Sequence, residues 1–222
     1  MTGLSDHFRV VAWDAPGAGA SSDPPDGFTI TDWAHCLVDF LDAVGIERPF
    51  VLGLSWGGLL AQELYRLYPA RVNRLILCDT YAGWKGSLPA EAGKRLERCL
   101  NDSLLSGEEL ALRWAPEMFT ENASEELLDE ISAVFHDFHP HGFRLMATSL
   151  AETDTTDVLP RIKVPTFLLW GEDDLRSPMR IGEQFRNAIR GSELAVIRNA
   201  GHVSNMEQQE EFNAHVLRFC LS

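Results

Sequence analysis

From Phe50 to Tyr68 the chain reads FVLGLSWGGLLAQELYRLY, in which a β-prone run, a glycine-bounded turn and a helical pattern follow one another without a spacer. Strand, sharp turn and helix are the expectation, with Pro69 ending the helix. A serine at the apex of such a turn, here Ser55, is lifted clear of the sheet. Gly53 and Gly57, two residues either side, are expected to let strand and helix pass close together without a Cβ clash. Ser55 is therefore the first candidate nucleophile. A five-residue pattern is short enough to arise by chance, so its surroundings decide its meaning.

The chain has 222 residues, enough for one domain with an inserted subdomain. Apolar residues make up 45% and charged residues 23%, the composition of a globular chain rather than a disordered one. No apolar run reaches the roughly 18 residues of a membrane span, and the opening MTGLSDHFRV lacks a signal layout, so the cytoplasm is the expected location. A formal charge of −14 disfavours nucleic acid and anionic membrane as partners; solubility is reason enough for it. Cys36, Cys78, Cys99 and Cys220 form no C-x-x-C pair and read as reduced packing residues.

In chain order, Phe8 to Trp13 (FRVVAW) has the pattern of a strand, running into a turn at Asp14 to Gly19. Gly17-x-Gly19 is a poor phosphate cradle, because no helix starts after it and Pro24-Pro25 follows. A helix is expected from Thr31 with Trp33, Leu37, Phe40, Leu41 and Val44 on one face, closed by Gly45. After the opening stretch, Arg74 to Cys78 is a second strand, ending at Asp79. From Leu88 to Asp154 only helical signals remain: a Leu96, Cys99, Leu100, Leu104 face, a capping box at Ser106 to Glu109, a helix opened by Ser124, and another from Gly142 to Ala151. That stretch holds 14 acidic against five basic residues, which reads as solvated helix faces in preference to a cation-attracting lid. Pro165 to Trp170 and Leu194 to Ile197 resume the strand pattern, with helices expected over Pro178 to Ile189 and Glu207 to Phe219. Alternating strands and helices predict an α/β fold with a mainly parallel sheet flanked by helices, in three parts: residues 1–87, an inserted helical segment 88–155, and residues 156–222.

Three strand ends carry reactive residue types in the order serine, acid, histidine: Ser55, then Gly171-Glu172-Asp173-Asp174, then Ala200-Gly201-His202. With DAPGAGAS at Asp14 to Ser21, GLSWGG at Gly53 to Gly58, GEDD at Gly171 to Asp174 and AGHVSNMEQ at Ala200 to Gln208, the chain resembles the α/β-hydrolase superfamily. Within it the pattern is similar to the cap-bearing branch that includes 3-oxoadipate enol-lactonases, proline iminopeptidases and carbon–carbon bond hydrolases. The resemblance implies the roles of nucleophile for Ser55, acid for Asp174 and base for His202, with the Trp56 backbone N–H donating to an oxyanion. Asp173 is the neighbouring alternative acid and Asp79 a further one. A serine at position 55 argues against haloalkane dehalogenation, for which relatives use aspartate there. No cofactor or metal is implied. His136-x-x-His139-x-His141 offers a zinc reading, but Pro140 interrupts it and no carboxylate or cysteine completes a set. The expected partner is a small-molecule substrate held in an apolar pocket near Trp56 and Trp84. The expected reaction is cleavage of an ester, lactone, amide or activated C–C bond through a Ser55 acyl-enzyme. The alternative is a non-catalytic small-molecule binder with an incomplete oxyanion hole.

The departure from the resemblance lies before Phe8. Relatives carry further strands there, one of which lies between the strands ending at Asp14 and at Ser55 and brings the second oxyanion donor. Its loss predicts a strand-wide gap beside Val51 to Leu54. Two expectations follow: Met1 lies inside a longer reading frame, or the sheet has closed up with one oxyanion donor lost or supplied by another segment.

Overall fold

The structure, a computed structural model, describes residues 2–222. Its strands are β1 (Phe50–Leu54), β2 (Arg74–Cys78), β3 (Thr166–Gly171) and β4 (Glu193–Ile197). The helices are α1 (Thr2–Ser5), α2 (Ile30–Ala43), α3 (Trp56–Leu67), α4 (Gly83–Ser87), α5 (Ala92–Asp102), α6 (Gly107–Met118), α7 (Glu125–His136), α8 (Pro140–Glu152), α9 (Met179–Ala188), α10 (Ser204–Glu207) and α11 (Gln209–Leu221). The strands form one sheet in the order β1-β2-β3-β4, parallel throughout. Side-chain alternation sends Leu75, Leu77, Leu168 and Trp170 into the core beneath α2, α3 and α9. It sends Ile76, Cys78, Phe167 and Leu169 to the other face, against Phe212, Val216 and Phe219 of α11. Both faces are covered, which is why β2 and β3 read as unbroken apolar runs.

The capping signals are used as the sequence indicates. Ser106 and Glu109 form a reciprocal capping box at the start of α6, and Ser124 caps α7. For α2 the box is Thr29 with Asp32, so this helix begins one residue before the expected Thr31. α5 departs from its expected face: Cys99 is buried, but Leu100 and Leu104 are exposed. Asp102 goes inside instead, because Trp114 Nε1 donates to its Oδ2 at 2.8 Å while Arg113 pairs with Oδ1 at 2.9 Å.

The expected strand over Phe8–Trp13 does not form. Among the described residues β1 pairs with β2 alone, leaving its other edge without a strand. A lone extended run has no ladder to join, and the segment is held instead by side chains. Phe8 packs edge-on against Phe50 at 6.1 Å between ring centroids, and Trp13 stacks on Phe40 at 5.9 Å. The sheet has therefore not closed up across the gap. Phe50 and Leu52 of β1, 38% and 42% exposed, and Val11 at 41% mark the open edge.

Candidate active site

The site is built where β1, β2 and β3 end. Ser55 follows β1 directly and has φ +53° and ψ −118°, a conformation that costs a non-glycine residue about 1–3 kcal/mol. Its surroundings over-determine it. The Ser55 N–H donates to the Cys78 carbonyl at 3.0 Å, while the Ser55 carbonyl accepts from Gly58 N–H at 3.0 Å and from Thr80 Oγ1 at 2.5 Å. A Cβ on Gly53 would overlap the Gly57 carbonyl, and one on Gly58 would overlap Thr80 Oγ1, so strand, turn and helix close only with glycine at both places. Gly57 differs from the expectation: a Cβ there meets nothing within 4 Å. Gly57 supplies the carbonyl that Gly53 must accommodate, and its own missing side chain is not what permits the approach.

His202 lies in the loop between β4 and α10 and is 2% exposed. Its Nε2 is 2.8 Å from Ser55 Oγ, and its Nδ1 is 2.9 Å from Asp174 Oδ2. A carboxylate oxygen accepts only, so Nδ1 carries the proton to Asp174 and Nε2 is left to accept from the serine hydroxyl. Asp174 is fixed on its other oxygen, where Oδ1 accepts the Arg176 and Ser177 backbone N–H groups at 2.8 Å each. Burial holds the His202 pKa below the ordinary 6.5, against the opposing pull of Asp174. Sequence reasoning placed Ser55, Asp174 and His202, and the fold brings these three together.

The alternative acids go elsewhere. Asp173 is exposed, and its N–H donates to the Ala200 carbonyl at 3.0 Å. Asp79, fully buried at the end of β2 with φ +46°, accepts the Gly171 N–H at 2.7 Å and the Ser204 hydroxyl at 2.6 Å. Burial, reinforced by the charge of Asp174, pushes the Asp79 carboxyl well above its usual range. It thus ties the β3 end to the helix that follows His202.

Trp56 is the first residue of α3, and its N–H is among those at a helix start that have no acceptor within the helix. Its indole Nε1 donates to Ser149 Oγ of α8 at 2.9 Å, and its ring packs edge-on against Trp33 at 5.2 Å. Trp84, 1% exposed, lies within the main apolar core, edge-on to Tyr81 at 6.4 Å between ring centroids and with Arg95 Cζ 5.9 Å from its ring. Of the histidines in the 136–141 run, His139 and His141 both turn to the loop at residues 23–26, and His136 lies against Gly107. His139 Nδ1 meets Asp23 Oδ1 at 2.7 Å and His141 Nε2 meets the Pro24 carbonyl at 2.9 Å, while a Cβ on Gly107 would press on His136.

Two positioning residues, Gln62 and Glu207, were not singled out from the sequence. Gln62 of α3 is buried and donates to the Gly58 and Tyr81 carbonyls while accepting from Thr155 Oγ1 at 2.7 Å. Glu207 accepts from the Gly201 N–H at 2.8 Å and the Thr120 N–H at 2.9 Å, which fastens the histidine loop to the end of α6. A polar residue inside an otherwise apolar helical face was the one signal for Gln62.

A parallel sheet sandwiched by helices, with serine, acid and histidine meeting at its strand ends, defines a protein of the α/β-hydrolase class. The chain belongs to the α/β hydrolase fold family, whose model matches residues 1–209. It is 29% identical to 3-oxoadipate enol-lactonase 2 of Acinetobacter baylyi, over 95% of this chain and 78% of that one. It is likewise 29% identical to a 2-hydroxy-6-oxononadienedioate/2-hydroxy-6-oxononatrienedioate hydrolase of Paraburkholderia phymatum, over 96% of this chain and 76% of the relative. The crystal structure of the enol-lactonase from Burkholderia xenovorans LB400 superposes with a TM-score of 0.88 at 28% identity, covering 100% of this chain and 84% of that one. These relatives are hydrolases, which supports hydrolase function here. No helix among the described residues is long and apolar enough to cross a membrane.

Proposed function

We propose that the chain is a serine hydrolase that cleaves an ester, lactone, amide or activated C–C bond of a small molecule through a Ser55 acyl-enzyme. The observation that carries this reading is the continuous hydrogen-bonded path from Ser55 Oγ through His202 to Asp174 Oδ2. In it, His202 Nε2 takes the Ser55 proton as Oγ attacks the acyl carbon, and Asp174 stabilises the imidazolium that forms. His202 then returns the proton to the leaving group, and water repeats the sequence to release the acid. The Trp56 N–H, at the start of α3, donates to the oxyanion; one such donor contributes about 2.7–4 kcal/mol of transition-state stabilisation.

The helical segment 88–155 acts as the cap over the residues 1–87 and 156–222 in this reading. Its contacts with the site loops support that role: the Met118 carbonyl accepts from Val203 N–H at 3.1 Å, and Ser149 accepts from Trp56. The cytoplasm is the proposed place of action, and no metal or cofactor takes part. A panel of p-nitrophenyl esters, lactones and prolyl amides tests the proposal. Turnover of at least one class, lost in Ser55→Ala, supports it; equal turnover by the variant refutes it.

A further inference from the structure

The Ser55 carbonyl carries three hydrogen bonds where two suffice. As the first turn of α3 closes, it accepts from the Gly58 N–H at 3.0 Å and the Leu59 N–H at 3.3 Å. A carbonyl oxygen has two lone pairs, so these two donors already satisfy it. The Thr80 hydroxyl nevertheless donates to the same oxygen at 2.5 Å, closer than either. Thr80 belongs to the loop after β2, 25 residues from Ser55, and is fully buried. It is pressed against the turn: a Cβ on Gly58 would lie 2.3 Å from its Oγ1.

That carbonyl and the Trp56 N–H belong to one peptide unit. The unit is planar and trans, so its two polar groups point in opposite directions. Holding the oxygen from the β2 side therefore fixes the direction in which the N–H faces. A donor on the oxygen also draws electron density from the amide nitrogen and strengthens the N–H as a donor, by about 10–30% for such bonded neighbours. The backbone here has need of a constraint, because φ +53° and ψ −118° at Ser55 lie outside the regions a serine favours. Thr80 is anchored in turn. Its carbonyl accepts from Ser177 Oγ at 2.7 Å, and the Ser177 N–H donates to Asp174 Oδ1 at 2.8 Å. The nucleophile turn and the acid loop are thus joined by a path that does not pass through His202.

We propose that Thr80 is a positioning residue for the oxyanion: its hydroxyl aims and polarises the Ser55–Trp56 peptide, so that the Trp56 N–H meets the charge that develops in the transition state. The inference rests on the reading of Ser55 as the nucleophile. As Ser55 Oγ bonds to the acyl carbon, the C=O electron pair moves onto oxygen, and the Trp56 N–H receives that oxygen. Thr80 acts through the peptide alone and gives up no proton.

Steady-state kinetics of Thr80→Val, Thr80→Ala and Thr80→Ser, on the substrate of the panel that the parent chain turns over fastest, tests this. A whole oxyanion donor is worth about 10²–10³ in kcat, and the polarisation is a fraction of that, so Thr80→Val and Thr80→Ala should each lower kcat by about two- to eightfold with KM unchanged. Thr80→Ser keeps the hydroxyl and should retain the parent's kcat. Packing alone would group the variants the other way, since valine matches threonine in shape and serine is nearly as small as alanine. The Thr80→Ala and Thr80→Ser pair decides by itself if Thr80→Val does not fold. Thr80→Val as fast as the parent, or Thr80→Ser as slow as Thr80→Ala, overturns this inference and leaves the Ser55 reading standing. A parent chain that turns over nothing and takes no fluorophosphonate at Ser55 overturns both.

Discussion

Ser55 Oγ and His202 Nε2 lie 2.8 Å apart although 147 residues separate them in the chain. The serine reaches that point from a strained turn after β1, and the histidine from a loop after β4 that Glu207 and Met118 hold in place. Each arrives by a different route through the sheet, so their alignment is a product of the whole fold.

Asp174 holds the imidazole in the tautomer that leaves Nε2 free to accept. Asp174→Asn should therefore lower kcat by about 10³–10⁴-fold with little change in KM, since a side-chain amide can leave the ring in the wrong tautomer. Steady-state kinetics on the best substrate of the panel checks this.

Asp79 is expected to behave differently, because its carboxyl joins Gly171 and Ser204 and does not touch His202. Burial favours its neutral form, which an amide mimics, so Asp79→Asn should fold well. Asp79→Ala strands two buried donors and should cost about 1–3 kcal/mol for each. Chemical denaturation of the two variants separates these outcomes.

The glycines of the turn divide in the same way. Gly53→Ala drives a Cβ into the Gly57 carbonyl and should destabilise the chain by about 3 kcal/mol or more. Gly57→Ala finds open space and should change stability by no more than about 1 kcal/mol. Equal losses at the two positions, measured by thermal unfolding, would contradict the packing described for the turn.

The elbow, the GEDD loop and the Gly-His loop were legible because each is a short local pattern at the end of an apolar run. Asp174 was favoured over Asp173 by the resemblance, in which the acid stands three residues after the glycine, and in the structure Asp173 is exposed while Asp174 is buried. Tertiary partners were not legible. FRVVAW has strand composition, but a strand requires a neighbour, and among the described residues no strand pairs with Val10 or Val11. Gly57 read as the residue that lets the helix approach because the motif is symmetrical, whereas the close approach runs through Gly53 and Gly58.

The pH dependence follows from His202. Burial lowers its pKa in the folded chain, so the neutral base persists to lower pH than for a free imidazole. The acid limb of kcat/KM should have its midpoint below about 6.5, the value of unperturbed histidine. The linked stability has the same sign: keeping His202 neutral costs nothing above its unfolded pKa, and stability is lost as pH falls through that region.

The central claim is that Ser55 is an activated nucleophile. Reaction of the folded chain with a fluorophosphonate probe, read by mass spectrometry of its peptides, tests this most directly. A single adduct on Ser55, absent from Ser55→Ala and strongly slowed in the His202→Ala variant, is the predicted result. Folded protein that takes up no label at Ser55 would contradict it.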